Sequence, residues 1–96
     1  MAWSLRYASG VSRDLKRLDR SDARFVLDSL ERFASRFDPA YESRLVKSGH
    51  VKRLKGEWKG FSRLKLRTFR VIYKRHEETL VVFVVRASHR TDAYRS

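Results

Sequence analysis

The stretch Val51–Tyr73, VKRLKGEWKGFSRLKLRTFRVIY, combines the strand pattern that decides the fold with most of the positive charge of the chain. From Arg44 to Arg75 there are 12 Lys or Arg residues and one acidic residue, Glu57, whereas the residues on either side are nearly balanced in charge. The net charge of +12 therefore comes almost entirely from one segment. A charge localised in this way predicts a polyanionic partner such as nucleic acid.

The second half of this stretch predicts a pair of β-strands. Phe61–Arg67 alternates apolar and basic residues with the period of two that is typical of a strand with two different faces. Thr68 is the candidate for a tight turn before the second strand, Phe69–Tyr73. Leu64 and Leu66 are expected on one face of the first strand, and the opposite face is expected to carry three basic residues, Arg63, Lys65 and Arg67.

The N-terminal half predicts one strand followed by two helices. Trp3–Tyr7 alternates like a strand, and Ser9 and Ser21 are the expected N-caps of the helices. Asp38-Pro39 should end the second helix, because the residue before proline is pushed out of the helical region. Apolar residues recur at helical spacing in both helices, first at Val11, Leu15 and Leu18 and then at Val26, Leu30, Phe33 and Phe37.

The remaining segments complete a prediction of one domain covering residues 1–96. Leu80–Val85 is a continuous β-branched run and predicts a central strand buried on both faces. Pro39–His50 has no clear pattern. The order β-α-α-β-β-β predicts a two-layer α+β domain, in which a helical hairpin covers one face of an antiparallel sheet. We expect core packing for six residues: Trp3, Phe33, Phe37, Phe69, Val71 and Phe83.

Composition excludes several classes of protein. The chain has no cysteine, which rules out disulfides, thiolate metal sites and a cysteine nucleophile, and suits a cytoplasmic protein. Leu80–Val85 is the longest apolar run and is too short to cross a bilayer, so no membrane association is expected. His50, His76 and His89 do not form a recognised ligand pattern, so neither a metal nor any other cofactor is expected.

Two segments resemble a known family: LKGEWKGFSRLKLRTFRVIY at residues 54–73 and VVFVVRASHRTDAYR at residues 81–95. They resemble the RelE/ParE toxin superfamily of bacterial and archaeal toxin–antitoxin systems, and the resemblance covers essentially the whole chain. It implies the same β-α-α-β-β-β fold. It also implies a cognate antitoxin as partner, in a toxin–antitoxin hetero-oligomer, and we expect an acidic antitoxin segment to cover the basic face or displace the C-terminal tail.

The resemblance leaves two activities open. The RelE branch cleaves messenger RNA in the ribosomal A site without a metal, so its partners include the ribosome and its rRNA. The ParE branch inhibits DNA gyrase and is not a nuclease. The basic strand with its candidate base and phosphate clamps favours a RelE-like endoribonuclease, whereas the absence of the first family lysine favours the ParE-like alternative. A third reading is a basic RNA-binding module without catalysis.

The resemblance also implies the site residues. Lys65 matches the second lysine of the basic strand in RelE-type nucleases, and Arg70 matches the arginine of the following strand. Arg90 and His89 match the tail pattern after the last strand, and Tyr94 resembles the C-terminal tyrosine at a shorter spacing. Arg63 stands in place of the first lysine and is expected to hold phosphate. Independently of the resemblance, Arg67, Lys52 and Lys55 of the basic segment are expected to bind RNA phosphates.

These residue types suit metal-free RNA cleavage. The reaction needs a base for the 2′-OH, charge stabilisation at the phosphate and an acid for the 5′-oxygen. Lys65 could be the base if neighbouring cations favour its neutral form. Arg70 and Arg90 would clamp the phosphate, His89 could transfer protons because imidazole titrates near neutral pH, and Tyr94 could donate a proton or stack on a base. Trp58 and Phe61 could stack on RNA bases or simply pack on Leu54 or the helices.

Overall fold

The computed structural model describes residues 3–87, and in this part of the chain it shows an α+β domain of five strands and three helices. The predicted two-layer architecture is confirmed. In chain order the elements are β1 Ser4–Tyr7, α1 Val11–Lys16, α2 Arg20–Arg36, α3 Pro39–Ser48, β2 Val51–Arg53, a 3₁₀ helix at Gly56–Trp58, β3 Phe61–Leu66, β4 Phe69–His76 and β5 Thr79–Ala87.

The strands form one sheet in the order β1-β5-β4-β3-β2. All neighbouring pairs are antiparallel as predicted, except that β1 runs parallel to β5. The middle strand is β4, and β5 lies between β4 and β1. Ile72 pairs with Val84 and Tyr73 pairs with Val82, so Phe83 is the extra residue of a β-bulge. The bulge changes which residues of β5 face the helices, because each extra residue shifts the alternation by one position.

Helix α3 was not predicted, and its ends follow standard capping chemistry. The Asp38 carboxylate accepts a hydrogen bond of 2.7 Å from the Tyr41 backbone N–H, and Pro39 occupies the first turn, where its missing N–H costs nothing. Gly49 ends the helix with a φ of +87°, a conformation that glycine adopts without strain. Strand β2 begins two residues later at the sheet edge.

The predicted caps of the first two helices are wrong. The N-cap of α1 is Gly10 rather than Ser9, and the N-cap of α2 is Asp19 rather than Ser21, and neither makes a side-chain capping bond. Helix α1 is instead fixed to the sheet by Asp14, whose carboxylate accepts a hydrogen bond of 3.0 Å from the Val85 backbone N–H. This bond satisfies a backbone donor on the part of β5 that extends past β1.

The core lies between the helices and one face of the sheet. The predicted apolar stripe of α2 is buried there, as are Phe69 and Val71, while Trp3 is half-buried and packs edge-on against Phe37. The prediction that Phe83 packs in the core is wrong. Its ring packs 5.1 Å from that of Phe61, which alternates with the core residues of β3 and so lies on the opposite face of the sheet. The buried core residues are Val11, Val26, Leu30, Phe33, Ala34, Phe37, Val51, Leu64, Phe69, Val71, Tyr73, Leu80, Val82 and Val85.

A buried carboxylate joins α3 to the sheet. Glu42 is 1% exposed and accepts a hydrogen bond of 2.6 Å from the Tyr73 hydroxyl. Arg75 and Arg53 donate to the same carboxylate at 2.8 Å and 3.3 Å. Because the carboxylate has three donors, its burial is compensated, and α3 is held to β2 and β4 at once. No helix within residues 3–87 has the length and apolar character needed to span a membrane.

Candidate nucleic-acid interface

The face of the sheet that the helices leave uncovered carries three cations in one line across three strands. Lys65 of β3 lies opposite Arg70 of β4, and Arg70 lies opposite Arg86 of β5. Side chains directly opposite each other on antiparallel strands have Cβ atoms about 5 Å apart. We call these three residues the cation row.

The cation row is electrostatically unfavourable in the free protein. Like charges directly opposite each other on a sheet destabilise it. Within the described part of the chain, the ion pairs are those that Arg53 and Arg75 make with Glu42, and no carboxylate is paired with the cation row. Three neighbouring cations without an acidic partner form a site that favours a bound polyanion, such as the phosphates of a nucleic acid.

Arg63 lies one row further along the same face, opposite Lys52 on β2 and Ile72 on β4. Its Nη2 donates a hydrogen bond of 3.3 Å to the Gly49 carbonyl, and its Nε is buried with no partner among the described residues. Burial, and then the positive charge of Arg70, lower the pKa of the Arg63 guanidinium. The guanidinium remains a cation at neutral pH, so Arg63 adds charge beside the row but cannot serve as a base.

Arg67 does not lie on this face, which corrects the prediction. Strand β3 ends at Leu66, and Arg67 occupies the hairpin turn with a φ of +53°. Its guanidinium lies 4.3 Å from the centre of the Phe25 ring, which belongs to α2 on the helical side of the sheet. Lys52 is on the uncovered face at the edge strand, and Lys55 is exposed in the loop before the 3₁₀ helix.

The predicted catalytic set is only partly within the described structure. Lys65 and Arg70 are brought together by strand pairing, as the prediction requires. His89, Arg90 and Tyr94 lie outside the described residues. Arg86 was not predicted as a site residue. In the sequence it only follows the apolar run of β5, and nothing indicates which residues lie beside it in the sheet. Only the pairing of β4 with β5 shows that it extends the row.

Trp58 and Phe61 also lie towards this face and pack on each other rather than on the helices. Their ring centres are 5.3 Å apart in an edge-to-face arrangement, and Trp58 is 44% exposed. Within residues 3–87, no cluster of three or more His, Asp or Glu residues is placed to hold a metal ion.

Comparisons with known proteins agree with this architecture. A family model described as the ParE toxin of type II toxin–antitoxin systems, parDE, matches residues 5–94. A search of curated protein sequences finds no significant match. Solved toxin–antitoxin complexes contain chains that are only 16–22% identical to this one, so the similarity shows the fold alone.

Three solved complexes contain chains with this fold. The archaeal RelE–RelB complex of Pyrococcus horikoshii matches with a TM-score of 0.66 and 20% identity, over 94% of this chain and 99% of that chain. The RelBE2 toxin–antitoxin complex of Mycobacterium tuberculosis matches with a TM-score of 0.62 and 22% identity, over 91% and 99%. The intact RelBE toxin–antitoxin complex of E. coli matches with a TM-score of 0.59 and 16% identity, over 93% and 100%.

Proposed function

Because this chain belongs to the ParE toxin family of type II toxin–antitoxin systems, within the RelE/ParE superfamily, we propose that it is a toxin that cleaves messenger RNA in the ribosomal A site without a metal. The observation that supports this activity best is the alignment of Lys65 with Arg70 in the cation row. This arrangement places an amine, the one side chain of the row that can exist as a neutral base, directly beside a guanidinium that can bind the reacting phosphate. The toxin would act in the cytoplasm, where ribosomes translate.

The proposed reaction is attack of the 2′-oxygen on the adjacent phosphorus. Lys65 would accept the proton of the 2′-OH as the 2′-oxygen bonds to phosphorus. Arg70 would stabilise the negative charge that builds up on the phosphate oxygens, and Arg63 would add to the positive potential. The bond from phosphorus to the 5′-oxygen then breaks, the 5′-oxygen takes a proton, and a 2′,3′-cyclic phosphate remains. By resemblance, Arg90 would be a second phosphate clamp, and His89 or Tyr94 would supply the final proton.

Two observations favour inhibition of DNA gyrase as a second candidate function. The matching family model is that of the ParE toxins, and ParE toxins of the superfamily branch described above act on gyrase. Arg63 also stands in place of the first lysine of the nucleases, and its Nη2 is bonded to the Gly49 carbonyl. In this function the cation row would contact a protein surface, and no base would be needed.

A translating extract distinguishes the two functions. Primer extension on the extracted mRNA should reveal cuts within translated codons when the wild-type chain is added. The cuts should disappear with the double variant Lys65→Ala/Arg70→Ala and remain with Lys16→Ala/Arg13→Ala, in which two exposed cations of α1 are removed instead. Intact mRNA together with loss of negative supercoiling by purified gyrase would overturn the nuclease function in favour of the second candidate.

The proposed partner in the resting cell is an acidic antitoxin segment. The support for this is the localised charge of the basic segment, together with the RelB antitoxins present in the complexes that share the fold. Bound across the cation row, such a segment would shield Lys65 from amine-modifying reagents, whereas Lys16 on α1 would stay reactive. Equal modification of Lys65 in the free toxin and in the complex would show that the antitoxin binds elsewhere.

A further inference from the structure

An apolar hollow of about 270 Å³ lies beside the cation row on the uncovered face of the sheet. Two cations of the row, Arg70 and Arg86, form part of its wall. Its apolar lining comes from three separate parts of the chain, with Leu54 and Trp58 on the segment between β2 and β3, Ile72 on β4 and Val84 on β5.

The register of the strands ties the hollow to the cation row. Ile72 and Val84 are paired with each other, just as Arg70 and Arg86 are paired with each other. Each apolar residue is therefore two positions from a cation on its own strand and points to the same side of the sheet. Two positions along a strand correspond to about 6.6 Å. The uncovered face thus presents a cationic row and an apolar surface side by side.

The aromatic ring of Trp58 lies at the hollow and is partly exposed. It belongs to the short 3₁₀ helix, is 44% exposed and is supported by the edge of the Phe61 ring. Phe61 is in turn supported by Phe83, so the three rings form a chain of edge-to-face contacts across the sheet. This support holds Trp58 in position without burying its ring, and exposed apolar surface next to charge is typical of a binding site.

A single-stranded nucleotide combines the two properties that this surface would recognise. Its base has an apolar face that stacks on aromatic and aliphatic side chains, and its phosphate is an anion that binds arginine. A double helix does not meet the requirement, because its bases are already stacked on each other. Apart from the indole N–H of Trp58, the lining residues offer no uncharged hydrogen-bonding side chain that could read a base edge, so recognition by the hollow would depend mainly on stacking.

We propose that Arg86 and the hollow form a subsite for one nucleotide of single-stranded RNA next to the phosphate held by Lys65 and Arg70. Arg86 binds the phosphate of this nucleotide, and its base stacks against Trp58 above Ile72 and Val84. The subsite rests on the proposed function, because it assigns the neighbour of the cleaved phosphate. It also adds a specificity: a purine covers more of the hollow than a pyrimidine and is preferred.

Binding of a short RNA that cannot be cleaved tests the subsite. The probe is hexaadenylate with 2′-O-methyl groups, which removes the attacking hydroxyl. In the full chain carrying Trp3→Phe, Trp58 is the remaining tryptophan, and stacking of a base should quench its fluorescence. Added to this background, Arg86→Gln should weaken binding roughly tenfold at low salt and lower the salt dependence by about one counterion. The matched control Arg13→Gln removes an exposed cation from α1 and should change neither quantity.

Variants of Trp58 test the aromatic part of the subsite. Their RNA binding is measured by fluorescence anisotropy of dye-labelled probes. Trp58→Leu should weaken hexaadenylate binding roughly tenfold and abolish the preference over 2′-O-methyl hexauridylate, whereas Trp58→Phe should retain part of both. The subsite would be wrong if Arg86→Gln bound RNA like Arg13→Gln, or if Trp58→Leu kept wild-type affinity and purine preference.

The subsite and the proposed function can fail separately. If the wild-type chain cuts mRNA in a translating extract but the Arg86 and Trp58 variants bind the probes like their controls, the subsite is wrong and the nuclease stands. If the variants weaken binding as expected while mRNA stays intact, the subsite is supported as an RNA-binding surface and the nuclease is wrong.

Discussion

Arg70 has a cation opposite it on each side, Lys65 on β3 and Arg86 on β5. Such an arrangement lowers stability and is useful only if a polyanion binds. Arg86→Gln should therefore raise the free energy of unfolding of the free protein by about 0.5 kcal/mol at low ionic strength, even though the same change is expected to weaken RNA binding. Urea unfolding measures this, and the gain should shrink in 1 M salt because exposed charges are screened.

The control for this prediction is Arg13→Gln, an equal change of charge at an exposed position on α1. A similar gain from both variants would mean that the net charge, and not the cation row, is responsible. A lower free energy of unfolding for Arg86→Gln than for the wild-type protein would contradict repulsion within the cation row.

The face of the sheet on which a side chain lies could be predicted from the sequence only where the alternation within a single strand determines it. Lys65 and Arg63 on β3 were placed on the correct face in this way. Arg67 continues the same alternation in the sequence, but the chain turns there with a positive φ and carries the side chain to Phe25. Arg86 could not be assigned, because its neighbours are determined by pairing between strands and by the bulge at Phe83.

At the scale of elements, Glu42 joins α3 to β2 and β4 through Arg53, Tyr73 and Arg75. Glu42→Ala should lower the free energy of unfolding by about 3 kcal/mol, because it leaves a buried hydroxyl and two arginines without their shared acceptor. Urea unfolding with Glu31→Ala, an exposed carboxylate of α2, provides the matched comparison. If Glu42→Ala lowered the free energy of unfolding no more than Glu31→Ala does, Glu42 would not be the residue that holds α3 to the sheet.

Tyr73 gives the same junction a pH dependence. Burial, followed by the hydrogen bond to Glu42 and its negative charge, raise the pKa of the Tyr73 hydroxyl far above its ordinary value. The native state thus keeps a proton that the unfolded chain releases near pH 10, so the stabilisation is complete below that pH and is lost as the pH rises above it.

Tyr73→Phe isolates this effect. The variant should be less stable than wild type by about 1.5 kcal/mol at pH 8, because a hydrogen bond to a charged group is lost. The difference should shrink between pH 10 and pH 11 by up to about 1.4 kcal/mol per pH unit. Urea unfolding at pH 8, 10 and 11 measures it, and a difference that stays constant over this range would contradict the raised pKa.

The elements themselves were predictable in proportion to their hydrophobic pattern. Helix α2 and β3 have regular apolar patterns and β5 has a continuous apolar run, so these elements were found. Helix α3 was left unassigned because only Tyr41, Leu45 and Val46 supply its partly buried apolar side. Its caps, Asp38 with Pro39 and Gly49, were present in the sequence and were sufficient to indicate a helix. Burial of Glu42 could not be foreseen, because it depends on two arginines and a tyrosine that are distant in the chain.

At the scale of the whole molecule, one side of the sheet provides stability, and the proposed function belongs to the other side. The helices cover Leu64, Val71 and Val82, while the uncovered side presents the cation row and the hollow. The layer architecture could be predicted from sequence, since it follows from the order of patterned segments. The parallel pairing of β1 with β5 could not, because nothing local in either strand specifies the direction of its neighbour.

The central claim is that Lys65 in the cation row is the base that cleaves mRNA, and single-turnover cleavage of mRNA on purified, programmed ribosomes tests it most directly. Lys65→Met should slow cleavage by roughly 10²- to 10⁴-fold, the usual contribution of a general base. Lys74→Met is the matched control, because Lys74 lies on β4 opposite Phe61 and outside the row, and it should cleave within a few-fold of wild type. Equal rates for Lys65→Met and Lys74→Met would contradict the account.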